Sequence, residues 1–116
     1  MLPKQYRLKK RSAFKATYKV KNSSHTGGVT LFAGILKKDE YPTKVGFVVS
    51  KKVHKRAVKR NRLKRLMRES YRLLLKENLV GNSQKYMSLV FVGSEKALDK
   101  SFGEIKSSIK YLLGRV

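Results

Sequence analysis

The hydrolytic side chains of this sequence are few. His25 and His54 are its only histidines, and its seven acids are scattered, Asp39-Glu40 being the one adjacent pair. A two-metal phosphodiesterase needs several carboxylates gathered around ions about 3.5–4 Å apart. A metal-free ribonuclease needs two positioned histidines as general acid and base. Neither pattern is expected here, so no residue is assigned a catalytic role and no metal ligand set is defined. What the chain holds in quantity is positive charge. From Lys51 to Glu69, KKVHKRAVKRNRLKRLMRE carries ten lysines and arginines and a single acid. Such a run repels itself unless a partner supplies the missing negative charge.

The whole chain repeats that imbalance. Twenty-nine Lys and Arg against seven Asp and Glu give a net charge of +22, more than solubility requires. Hydrophobic content of 41% is ordinary for a globular protein, and 116 residues fit a single domain over 1–116. No apolar run reaches the roughly 18 residues of a membrane span, and no signal-peptide pattern appears. The expected partner is therefore a nucleic acid rather than a membrane. The absence of cysteine excludes disulfides and thiolate metal sites and fits a cytoplasmic protein.

The elements that must position these charges follow from periodicity. RSAFKATYKV reads as a first helix with Ser12 as N-cap and with Phe14 and Tyr18 on one face. NSSHTGG reads as a turn. In VTLFAGIL, alternation puts Val29, Leu31, Ala33 and Ile35 on one face and Thr30, Phe32 and Gly34 on the other. KVGFVVS is a second strand with Val45, Phe47 and Val49 inward, expected to pair antiparallel with the first. A long helix is predicted from Ala57 to Leu79, with Gly81 as its stop signal. YMSLVFVG is a central strand. The segment ending in YLLG is an amphipathic helix with Phe102, Ile105, Ile109 and Leu112 on one stripe and Gly114 near its end.

Projected at about 100° per residue, the long helix divides cleanly. Leu63, Leu66, Met67, Ser70 and Leu74 share one arc, with Tyr71 at its edge. Arg60, Asn61, Arg62, Lys64, Arg65, Arg68, Arg72 and Lys76 occupy the other. A solvated helix face would interleave Glu with Lys, and its first turn would favour acids by about 0.3–1 kcal/mol each. This one begins with Lys59, Arg60 and Arg62, so the helix start with its guanidinium groups makes a phosphate site. No helix-turn-helix, zinc-finger spacing or heptad dimeriser points to DNA. Phe14, Tyr18 and Phe32 each have an ordinary core reading, yet aromatics beside a basic helix also suit unstacked single-stranded bases.

The ordered combination of these segments resembles the bacterial ribonuclease P protein component. A strand ending in Ser50-Lys51-Lys52 precedes the Arg60-Asn61-Arg62 signature, with Lys64-Arg65 and Arg68-Glu69 beyond it and YRLKKRSAFKATYK upstream. The resemblance covers nearly the whole chain. It implies an α/β (α+β) single-domain two-layer sandwich of the ribosomal protein S5 domain 2-like type, helix-strands-helix-strand-helix with a left-handed crossover, although pattern alone would favour a right-handed one. It implies a subunit that assists an RNA catalyst in removing the 5′ leader of precursor tRNA, with Mg2+ held mainly by the RNA. The partners it implies are the ribonuclease P RNA subunit and precursor tRNA, with no membrane and no DNA. Lys55, Arg56, Lys59, Arg60, Asn61, Arg62, Lys64, Arg65, Arg68 and Arg72 would contact the RNA subunit. Phe14, Tyr18, Phe32, Lys51 and Lys52 would line a cleft for the leader.

Two departures stand out. Family members often carry a Gly-Asn-Ala-Val run before the signature where this chain has VHKRAV, and a basic residue at the end of the last strand where this chain has Gly93-Ser94. The competing function is a structural RNA-binding protein of ribosomal-protein type, which would share charge, size and fold but would not need an outward-facing aromatic cleft. A nucleoid-type DNA binder is a further alternative.

Overall fold

The computed structural model describes residues 2–116. Helix α1 spans Arg11–Lys19, strand β1 Asn22–Thr26, β2 Val29–Ala33, β3 Lys44–Val48, helix α2 Ala57–Lys76, β4 Ser88–Gly93 and α3 Phe102–Arg115. The four strands form one sheet in the order β1-β2-β4-β3. The expected antiparallel pairing of β2 with β3 does not form, because β4 lies between them, antiparallel to β2 and parallel to β3. Leu89, Val90 and Phe91 explain that place: they are buried on both faces of β4, which suits a central strand.

The segment read as a turn is instead strand β1. Its polar residues alternate between half-buried and exposed, as an edge strand with one solvated face does. The hairpin signal is the Gly27-Gly28 pair, with φ of +58° and +84°, which supplies the positive dihedrals of a two-residue loop. Strand β2 ends at Ala33, and beyond Gly34 the Ile35 carbonyl accepts from Met87. The alternation therefore breaks, and Ile35 is 49% exposed rather than inward.

Helix boundaries also differ. The Lys10 carbonyl accepts the Ala13 and Phe14 amides, so α1 starts before Ser12, and Lys10 rather than Ser12 is the N-cap. At the end of α2, Asn78 takes a left-handed conformation (φ 57°), the Leu79 amide donates to Leu74 and the Asn78 amide to Leu75. Those two bonds form a Schellman motif. The helix thus stops at Lys76, short of Leu79, and Asn78 takes the role assigned to Gly81. Helix α3 opens on a capping box in which Ser101 and Glu104 exchange hydrogen bonds.

The inward sheet face, with Val29, Leu31, Ala33, Val45, Leu89 and Phe91, packs on Leu63, Met67, Tyr71 and Leu74 of α2 and on Ile105, Ile109, Leu112 and Leu113 of α3. Full burial of each such aliphatic side chain contributes about 1.5–3 kcal/mol of transfer free energy. Phe47 stacks on Phe91 with ring centroids 5.7 Å apart. Tyr71, expected at the edge of the apolar arc, is fully buried. Its hydroxyl accepts from Gln84 at 2.9 Å, which satisfies the polar end of the ring. Helix α1 crosses the opposite face of the sheet. Among the described residues no helix is long and apolar enough to cross a membrane.

Candidate nucleic-acid interface

Burying Leu63, Met67, Tyr71 and Leu74 on the sheet leaves the remaining side of α2 no choice but solvent. Lys55, Arg56, Lys59, Asn61, Arg62 and Arg65 are exposed, and Arg60, Lys64, Arg68 and Arg72 are half-buried. No acid lies in the first turn, and the N-cap residue Arg56 makes no side-chain capping bond. Two members of the wall are partly neutralised. Lys59 pairs with Asp99 at 3.4 Å. Arg72 donates from Nε to both Glu69 oxygens at 3.1 Å, and that guanidinium holds the Glu69 carboxyl below its ordinary pKa.

The signature arginines are held by backbone. Arg60 donates from Nη1 to the carbonyls of His54 at 2.7 Å and Lys55 at 2.8 Å. Arg62 donates to those of Leu98 at 3.0 Å and Lys100 at 3.4 Å. His54 accepts the Arg56 amide on Nδ1 at 3.0 Å. The VHKRAV segment is therefore folded back on the first turn of α2 with its cations outward. Asn61 stands exposed between the two clamps.

Phe14, Tyr18 and Phe32 lie on the outer face of the sheet, all half-buried. Tyr18 is edge-on to Phe32 with centroids 4.9 Å apart, and burial pushes its phenol above the ordinary pKa. The ring of Phe14 occupies the space that a side chain at Gly46 would fill. Lys51 and Lys52 are exposed just beyond β3. On the other flank of α1 lies a groove of about 530 Å³, lined by Leu8, Ala16, Ile35, Tyr41 and Met87. Its rim includes Asp39 beside Lys37 and Lys44. None of Phe14, Tyr18 and Phe32 lines that groove.

A family model described as Ribonuclease P matches residues 2–116. The chain belongs to the ribonuclease P protein family. It is 38% identical to the ribonuclease P protein component of Clostridium kluyveri over 108 residues, 93% of this chain and 91% of that one. It is 37% identical to that of Clostridioides difficile, covering 93% and 89%. The ribonuclease P protein of Staphylococcus aureus superposes with a TM-score of 0.77 at 25% identity, covering 95% of this chain and 94% of that one. The Thermotoga maritima ribonuclease P protein, at 23% identity over 95% and 96%, shares the fold with a TM-score of 0.77. Family membership makes this chain the protein component of an endoribonuclease.

Within that family frame, the two histidines have separate partners. His54 sits in the clamp before α2, and His25 lies on β1 with Nδ1 2.8 Å from Thr30 Oγ1. Among the described residues no three metal-ligating side chains come together. Sequence reading placed Thr30 and Phe32 on the outer face but missed that His25 joins them, because β1 was not recognised. The Gly-Gly pair just before the alternating VTLFA run was the available signal.

Proposed function

We propose that the chain binds the ribonuclease P RNA subunit through the exposed side of α2, and the single-stranded 5′ leader of precursor tRNA through the aromatic side of α1. The observation that carries this reading is the continuity of the cationic surface. Lys51 and Lys52 are exposed just beyond β3, the strand whose Gly46 lies under Phe14, and the chain runs on from them through Lys55 and Arg56 into the α2 wall. A phosphate backbone following that path meets cations along its length, and counterion release makes such binding strongly salt-dependent. Beside α1, the aromatic side rather than the 530 Å³ groove is assigned to the leader, because Phe14, Tyr18 and Phe32 offer rings on which unstacked bases can stack.

In this reading the RNA subunit carries the chemistry of leader removal, and the protein alone is inactive. Magnesium in this reading sits mainly on RNA phosphates, the oxygen ligands that such a hard cation takes. The protein's cations lower the electrostatic cost of bringing two RNAs together, in the cytoplasm where tRNA matures. Purified protein should leave precursor tRNA intact at every magnesium concentration. Adding the RNA subunit should yield cleavage at the leader junction, with the protein's benefit largest at low magnesium. Robust cleavage by RNA-free protein would end this reading. A ribosomal-type scaffold is the second reading, and it predicts no dependence of binding on the leader.

A further inference from the structure

The outer face of the sheet continues past the aromatic cluster. Strand register aligns Ser23, Phe32, Val90 and Gly46 in one row, and His25, Thr30, Val92 and Val48 in the next. Helix α1 covers the first row, with Phe14 over Gly46 and Tyr18 against Phe32. Val90 in that row is fully buried. The second row is more open: Thr30, Val92 and Val48 are half-buried and His25 is exposed. The two rows are about 7 Å apart along a strand. That is the reach of one nucleobase lying beside a base stacked on Phe32.

The open row has the composition of a base-reading shelf. Val48 and Val92 offer apolar contact that any base can use, while the far end is polar. There His25 Nδ1 and Thr30 Oγ1 share a hydrogen bond of 2.8 Å, which orients the imidazole and engages one of its nitrogens. Its Nε2 makes no hydrogen bond to the described residues and faces solvent. Sites of this kind combine apolar walls with a few fixed polar groups that set orientation and preference.

We infer that His25, positioned by Thr30, reads the edge of one base of the single-stranded leader and gives the cleft a sequence preference. The inference rests on the leader-cleft reading above. Phe32 and Tyr18 stack without regard to base identity, since every base has a π-face. His25 distinguishes bases, because only those presenting a complementary donor or acceptor to Nε2 satisfy it on leaving water.

The test uses the assembled RNA–protein enzyme and precursor tRNAs whose leaders carry each of the four bases at one position at a time. The wild type should prefer one base at a single leader position. His25→Ala should abolish that preference by weakening the favoured leader about three- to tenfold while leaving disfavoured leaders unchanged. Thr30→Val, similar in shape but without the hydroxyl, should weaken the preference in the same direction. Thermal melting should be unchanged in both variants. No preference in the wild type, a preference that survives His25→Ala, or an equal loss for all four bases would overturn the inference. Phe32→Ala separates the two levels. If it too leaves leader binding intact, the cleft reading falls; if it weakens binding while the base preference ignores His25, only the His25–Thr30 inference falls.

Discussion

Arg62, in the second turn of α2, donates to the Leu98 carbonyl at 3.0 Å across the gap to the β4–α3 connection. The same guanidinium reaches Lys100 at 3.4 Å, immediately before the Ser101 cap of α3. One planar group thus ties the start of the basic helix to the start of the last helix. A lysine ammonium keeps the charge but cannot span two carbonyls with that fork.

Arg62→Lys should therefore lower the melting temperature by about 4 °C, the equivalent of roughly 1 kcal/mol. It should leave the salt dependence of RNA-subunit binding near that of the wild type. Arg62→Ala should lose the same stability and also flatten the log–log salt slope by about 0.7–0.9. Arg65→Ala, at an exposed position, should flatten the slope without changing stability. Melting curves and salt titrations on the same samples check all three. An Arg62→Lys protein as stable as wild type would refute the clamp.

Gly46 tests the seating of α1. A Cβ built there would fall 2.3 Å from Cε1 of Phe14, far inside contact distance. Gly46→Ala should cost about 1–3 kcal/mol through overpacking, measurable by urea denaturation. Phe14→Leu in the same chain vacates that space, so the double variant should be more stable than the sum of the single losses. Simple additivity would mean that the ring swings aside freely.

How much of this was legible in the sequence depends on where each residue draws its partners. The α2 faces were readable because Leu63, Met67 and Leu74 repeat at helical spacing and the arginines fill the remainder. The long-range pairing was not, since nothing local in VTLFAGIL or KVGFVVS says that β4 will insert between them. Strand β1 escaped because NSSHT has little intrinsic strand preference and is held by its ladder to β2. The Schellman end at Asn78 escaped because Gly81 is the commoner residue for that conformation. Within the candidate site, charge was visible in the sequence. What Arg60 and Arg62 hold was not, because their acceptors are backbone carbonyls, which no residue type announces.

Tyr71 gives a stability test in alkali. Burial pushes its phenol up to about 12 from an ordinary value near 10. A raised pKa means that the native state holds the proton more tightly. Its contribution, on the order of 3 kcal/mol, is therefore complete below pH ~10 and lost as pH rises through about 12. Tyr71→Phe forfeits the hydrogen bond from Gln84 and should be about 1 kcal/mol less stable at pH 7. Phenylalanine cannot ionise, so the deficit should shrink and then reverse between pH 10 and 12. Urea denaturation of both proteins across that range checks it. A deficit independent of pH would mean that Tyr71 titrates no differently in the two states.

The two flanks of α1 make opposite predictions for the leader. If the leader lies on the aromatic side, Phe14→Ala and Phe32→Ala should each weaken binding of leader-bearing precursor tRNA by about 1–3 kcal/mol per lost stack. Mature tRNA and assembly with the RNA subunit should be spared. Ile35→Ala and Met87→Ala, on the other flank, should leave all three unchanged. Leader truncation supplies the internal control, because shortening the leader until it no longer reaches the cleft should erase the difference between Phe32→Ala and wild type. Folding must be checked alongside, since a fully buried Phe→Ala costs about 3–5 kcal/mol, whereas rings as exposed as Phe14 and Phe32 should cost less. Loss of leader binding in the Ile35 and Met87 variants, with Phe14 and Phe32 silent, would move the leader to the opposite flank of α1. Equal weakening of precursor and mature tRNA by the aromatic variants would return those rings to the core.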